Sequence, residues 1–185
     1  MRYWKVLVTI VVIVAAAVVW HDLPANTEIY APFDVTADAG TRATGRNITA
    51  TVSGVEIASE IRPENARPPR LEASGIWVVV TAEVTSIKEP GLMRTQLLVG
   101  PDTYAQTDRL LPSAYLGGLV QPDIVQRGAW LFDIAPAALD AVDSVVLQVW
   151  LGDERLDSRL RVNIPVGDAV RVESVEVPRP VVSAG

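Results

Sequence analysis

From residue 75 the chain reads "GIWVVVTAEVTSIKEPG", and its apolar positions fall into two alternating sets. Ile76, Val78, Val80, Ala82 and Val84 form one continuous apolar face. The other face begins with Trp77 and Val79 and turns polar at Thr81, Glu83 and Thr85. A period of two marks a strand, since helical winding would mix the two sets. The pattern predicts a central strand, buried on one face throughout and on both faces at its start. Lys88, Glu89, Pro90 and Gly91 supply the turn chemistry that ends it.

The same alternation recurs along the chain. Ile48, Ala50 and Val52 share a face, and the parity then shifts to Val55 and Ile57 across Ser53 and Gly54, as a β-bulge would require. Further strands are predicted at 94–100, 103–107, 128–134, 144–152 and 159–164, with 169–177 as an additional one and a short one at 28–35. Leu160, Val162 and Ile164 alternate with Arg159, Arg161 and Asn163, giving one dry face and one wet face. The proline-rich 62–74 reads as a surface loop, 108–127 as a crossover between sheets, 135–142 as one helical turn and 152–157 as a hairpin connection. Seven to nine short strands with almost no helix imply an all-β fold, an antiparallel β-sandwich.

The N-terminus breaks this pattern. "MRYWKVLVTIVVIVAAAVVW" has a basic start and then an uncharged apolar run over residues 6–20, about 15 residues or ~22 Å of helix. Tyr3, Trp4 and a snorkelling Lys5 extend it toward the ~30 Å of a bilayer core. Trp4 and Trp20 stand where interfacial aromatics anchor a span. The segment is read as one N-terminal transmembrane helix, an uncleaved signal anchor that meets the lipid bilayer through residues 3–20. Its positive flank is cytoplasmic and the body extracytoplasmic, making a single-pass protein of the cell membrane. The alternative is a cleaved signal peptide with a site at Ala15, Ala16 and Ala17, which would give a secreted form.

Composition then narrows the chemistry. The absence of cysteine excludes disulfides, Cys-based zinc sites and thiol catalysis. Beyond Lys5, 14 basic residues stand against 22 acidic ones, a balance that argues against nucleic-acid binding. The single histidine, His21, leaves no Ser-His-Asp arrangement and reads as a solvated residue at the membrane surface. Asp102, Asp108 and the acidic turns lack the ligand spacing of a calcium loop. Asn47, Ile48 and Thr49 match a glycosylation acceptor but are read as a strand start. Trp77, Trp130 and Trp150 are read as core aromatics in preference to a ligand groove. No catalytic, cofactor-binding or metal-binding residue is assigned.

The blocks "GIWVVVTAEVTS", "LLVGPDTY", "RGAWLFDIA" and "VVLQVWLG" together resemble bacterial immunoglobulin-like domains of unknown function, related to a secreted mycobacterial immunoprotective antigen. Gly75, Leu98, Gly100, Tyr104, Gly128, Phe132 and Ile134 match that pattern over roughly residues 45–165. Thr85 and Ser86 stand where many members have Asn, and Ala135 where many have Pro. The resemblance implies an immunoglobulin-like sandwich, exported or membrane-tethered, and carries over no catalytic residue. The expected organisation is a cytoplasmic tip and anchor at 1–20, a stalk at 21–43, the sandwich at 44–177 and a flexible tail at 178–185. The expected function is binding of a protein or envelope component. A structural accessory subunit of a membrane complex, such as a transporter, held through its anchor helix, is the alternative. Leu110, Leu111, Tyr115, Leu116, Leu119 and Val120 make loop 108–127 apolar, so it is either a partner-binding loop or a cap on the open end of the sandwich.

Overall fold

The structure, a computed structural model, describes residues 2–22, 31–64, 68–153, 155 and 157–184. It divides into two compact units, Met1–Ala31 and Pro32–Gly185. The first holds α1 (Arg2–Asp22), 21 residues long, or about 32 Å at 1.5 Å per residue. Thr9 Oγ1 donates to the Lys5 carbonyl at 2.9 Å, so the hydroxyl inside the apolar run is satisfied by its own helix. The side chains from Tyr3 to His21 are exposed, and apolar groups point in every direction. A helix apolar all round belongs in hydrocarbon or in a protein interior. Residues 3–21, with mean hydropathy 2.2, form the one helix among the described residues that is long and apolar enough to cross a membrane, a property signal sequences share.

The second unit is a β-sandwich. Sheet 1 runs β1 (Phe33–Asp38), β10 (Ser158–Pro165), β9 (Ser144–Leu151), β5 (Gly91–Val99) and β6 (Asp102–Ala105), with β7 (Gly118–Val120) also on β5. Sheet 2 runs β11 (Val170–Val177), β3 (Ile48–Pro63), β4 (Leu71–Ser86), β8 (Ile124–Ile134) and β12 (Val181–Ala184), with β2 (Arg42–Thr44) on β3. The order β3-β4-β8 over β10-β9-β5-β6 is the immunoglobulin arrangement of strands A-B-E over G-F-C-C′. A short α2 (Pro136–Asp140) connects β8 to β9 where one helical turn is expected, with the chain crossing from sheet 2 to sheet 1.

Strand β4 takes the place its sequence pattern predicts, between β3 and β8. Val78, Val80, Ala82 and Val84 face the inter-sheet core, and Trp77 and Val79 are buried on the opposite face in a second apolar cluster. The pairing of β3 with β4 shifts register between Val52 and Gly54, where the parity break lies. Trp130, Phe132 and Ile134 of β8 meet Leu147 and Val149 of β9 and Leu160 and Val162 of β10 in the main core.

Several expectations are corrected. Twelve strands are present among the described residues, against seven to nine expected. The stalk is expected through residue 43, yet β1 and β2 already belong to the sheets; residues 23–30, with the start of the strand expected at 28–35, lie outside the described residues. Only Val35 and Ala37 of β1 reach the core, too small a stripe to stand out as alternation. The tail expected at 178–185 contains β12, which pairs with Ile124–Arg127 of β8. The loop expected at 62–74 is shorter, because β3 continues through Pro63 and β4 begins at Leu71. Two edge pairings are parallel, β1 with β10 and β11 with β3. Neither pair is joined by a hairpin, so nothing forces the antiparallel direction.

Candidate functional site

Loop 108–127 is where the apolar surface residues are expected, and the structure scatters them. Its first half is pinned along the edge of β8 beyond the reach of β12: the Thr107 amide donates to the Leu131 carbonyl (2.9 Å) and the Leu116 amide to the Ala129 carbonyl (2.8 Å). Between these pins the chain folds over the outer face of sheet 2. Leu110 and Ala114 are buried there against Trp77, Val79 and Leu131, with Tyr115 half-buried beside them. Burial first, then the nearby Asp108 charge, raises the Tyr115 pKa. Leu116 and Val120 enter the inter-sheet core. Leu111 and Leu119 remain exposed, at 74% and 49%. The first half of the loop therefore covers a sheet face, while its second half contributes Leu116 and Val120 to the inter-sheet core.

A polar latch holds the covering in place, and sequence reasoning missed it. The Asp133 carboxylate accepts the Ser74 and Gly75 amides (2.8 and 2.9 Å) and Arg109 Nη1 (3.0 Å). The Arg109 guanidinium also lies 5.5 Å from the centre of the Trp77 ring. Thus one carboxylate caps an irregular stretch of β4 and fixes the loop's first cation over the loop's main apolar contact.

The outer face of sheet 1 has no such cover among the described residues. Leu119 of β7 stands directly opposite Leu92 of β5, which is 59% exposed. One step along, Arg94 is opposite Trp150 of β9, and next Gln96 is opposite Gln148. Gln96 Nε2 donates to Gln148 Oε1 at 2.6 Å, and Gln148 is 2% exposed, so this pair is a satisfied polar floor. At the β1 edge, Asp34 accepts from Arg159 Nε (2.8 Å) and Arg161 Nη1 (3.2 Å). Trp77 and Trp130 are core residues as expected, but Trp150 is half-buried on this outer face. The parity that places Val149 and Leu151 inward already puts Trp150 on the opposite side.

Burial pushes the Asp34 carboxyl up, but the hydrogen bond and charge of Arg159, with Arg161, outweigh it and hold the group below the ordinary carboxylate range. A lowered folded pKa gives stability that is present above the unfolded value, about 4, and lost as pH falls through the folded one. Asp34→Asn is therefore expected to lower the melting temperature by a constant amount near neutrality, with the gap to wild type closing below about pH 4. Melting curves of the full chain in detergent across pH 2–7 measure this; a gap that persists unchanged into acid contradicts it.

A cleft of about 380 Å³ lies where β3, β4 and β11 meet, lined by Ser59, Glu60, Arg62, Arg70, Glu72, Glu173 and Ser174. Part of its charge is paired: Glu60 accepts from Arg62 (2.8 Å) and Ser174 (3.1 Å), and the Arg62 bond chiefly lowers the Glu60 pKa. Among the described residues, no group of three His, Cys, Asp or Glu side chains is placed to hold a metal ion. Trp4, Lys5 and Trp20 lie exposed on α1, the tryptophans near its two ends.

No family model and no curated protein matches the chain. Nothing in these two comparisons supports the relation to the immunoprotective-antigen domains. Among solved structures, the chain is similar to an uncharacterized beta-sandwich protein from Clostridium difficile 630, at 12% identity and a TM-score of 0.46, over 70% of this chain and 95% of that one.

Proposed function

We propose that the chain is a membrane-tethered, non-catalytic binding module that engages a protein partner through the outer face of sheet 1. One observation carries this reading. The apolar part of the outer face of sheet 2 is covered by the chain's own loop, whereas on the outer face of sheet 1 Leu92 and Leu119 are exposed and Trp150 is half-buried across from Arg94. Tryptophan and arginine are the residue types that concentrate binding energy at interfaces. α1, with Lys5 near its start and Trp4 and Trp20 near its ends, supports a tether whose N-terminus is cytoplasmic and whose sandwich is outside.

A photo-reactive residue at position 119 tests the reading in native membranes. It is expected to give a discrete protein adduct that Leu92→Ser reduces about tenfold, while the same probe at position 111 gives none. Equal adducts from both positions would sink the proposal. The apolar surround of α1 also supports the accessory-subunit reading, in which the helix itself makes the main contact. Replacing residues 3–20 by an unrelated span separates the two, because a sheet-face interaction survives that exchange.

A further inference from the structure

The chemistry of the sheet 1 face says what kind of surface fits it, and this step rests on the binding reading above. The body of the chain is acidic: 22 carboxylate residues stand against 14 basic ones beyond Lys5. The outer face of sheet 1 reverses that balance locally, with Arg94, Arg159 and Arg161 against Asp34 and Asp38. Asp34 is occupied by the two β10 arginines, and Asp38 accepts from Asn163 Nδ2. Arg94 differs from its neighbours. It is exposed, stands opposite Trp150, and makes no hydrogen bond or ion pair among the described residues, although its charge helps hold the Asp153 carboxyl low after the larger effect of Arg155.

We infer that the sheet 1 face receives an acidic, apolar protein surface, with Arg94 taking a partner carboxylate while Leu92, Leu119 and Trp150 take the apolar side chains beside it. An arginine directly cross-strand from a tryptophan offers a bidentate hydrogen-bonding fork on the same face as a large apolar plane. The acidic body as a whole repels such a partner, so this basic stripe also selects the orientation of docking. An anionic membrane surface would be drawn to the same arginines. The protein is favoured because the apolar groups stand beside the paired Gln96–Gln148 amides on the same sheet face, a mixed polar and apolar surface suited to shape-matched packing.

The test uses the full chain in native membranes with a photo-reactive residue at position 92. The expected result is an adduct whose cross-linked segment, sequenced by mass spectrometry, contains Asp or Glu, and whose yield falls about tenfold with Arg94→Glu but much less with Arg94→Lys. If Arg94→Glu leaves the yield unchanged while Leu119→Ser abolishes it, the acidic-partner inference falls and the binding face stands. If neither change matters, both readings fall. A parallel arm places the purified chain in phosphatidylcholine and phosphatidylglycerol nanodiscs with no other protein. Cross-linking to lipid that requires phosphatidylglycerol would overturn the inference in favour of a membrane surface.

Discussion

Gly75→Ala is expected to cost at least about 4 kcal/mol, or to prevent folding, because this glycine is required by space and not by backbone torsion. A Cβ at this position would collide with the Ile134 carbonyl oxygen and lie 3.0 Å from its carbon and 3.1 Å from Pro136 Cδ. Backbone cannot rotate aside as a side chain does, so β8 would have to retreat from β4. That retreat pulls apart the Ile76–Ile134 and Trp77–Asp133 pairs. It also withdraws the Asp133 carboxylate from the amides of Ser74 and Gly75, leaving the partly buried Gly75 donor unmet at a cost of about 1–3 kcal/mol. Gly54→Ala is the control, since nothing lies within 4 Å of the added carbon there. Denaturant unfolding of both variants in detergent, followed by circular dichroism, decides the matter. A Gly75→Ala loss of less than about 1 kcal/mol would show that the strands can part without penalty.

That glycine also explains what the sequence pattern was reporting. The first sequence block opens on Gly75, and the structure shows why a glycine stands there: it is the point where an irregular stretch of β4 passes against the end of β8. Gly100 likewise has φ +57 in the turn from β5 to β6, a torsion that favours glycine. Phe132 and Ile134 are core residues. Alternation made β4, β8, β9 and β10 legible because each buries a row of large side chains, and the parity break at Ser53 and Gly54 located the register shift. The strands that were missed give no such signal. Val181 and Val182 of β12 are 60% and 62% exposed, so that strand is held by its ladder and not by burial. The latch was hidden for a different reason. Its members come together across 58 and 24 positions of chain, and no local pattern links an aspartate in one strand to an arginine in a loop. The candidate face was half legible: the parity of β9 puts Trp150 outward against its reading as a core aromatic, but only the register shows that Arg94 stands across from it and Leu119 across from Leu92.

Trp77→Ala is expected to destabilise the sandwich by about 3–5 kcal/mol, as large buried aromatics do on truncation, and to release the covering loop as well. Trp77 is fully buried, its Nε1 donates to the Leu71 carbonyl at 3.0 Å, and Arg109 lies over its ring. Leu110 and Ala114 pack in the same cluster. Removing the indole therefore removes the surface on which residues 108–115 rest. Faster trypsin cleavage after Arg109, before global unfolding, is the expected sign. The second buried indole gives an internal comparison. Trp130 is also fully buried, but its Nε1 has no hydrogen-bond partner among the described residues. Phenylalanine at 130 loses volume but relieves an unsatisfied donor, whereas phenylalanine at 77 loses volume and strips the Leu71 carbonyl of its partner. Trp77→Phe is thus expected to cost about 1–2 kcal/mol more than Trp130→Phe. Equal costs, or the reverse order, would mean that burial of ring area alone sets the contribution of both residues. Trypsin resistance unchanged in Trp77→Ala would mean that the pins at Thr107 and Leu116, and not the aromatic surface beneath, hold the loop.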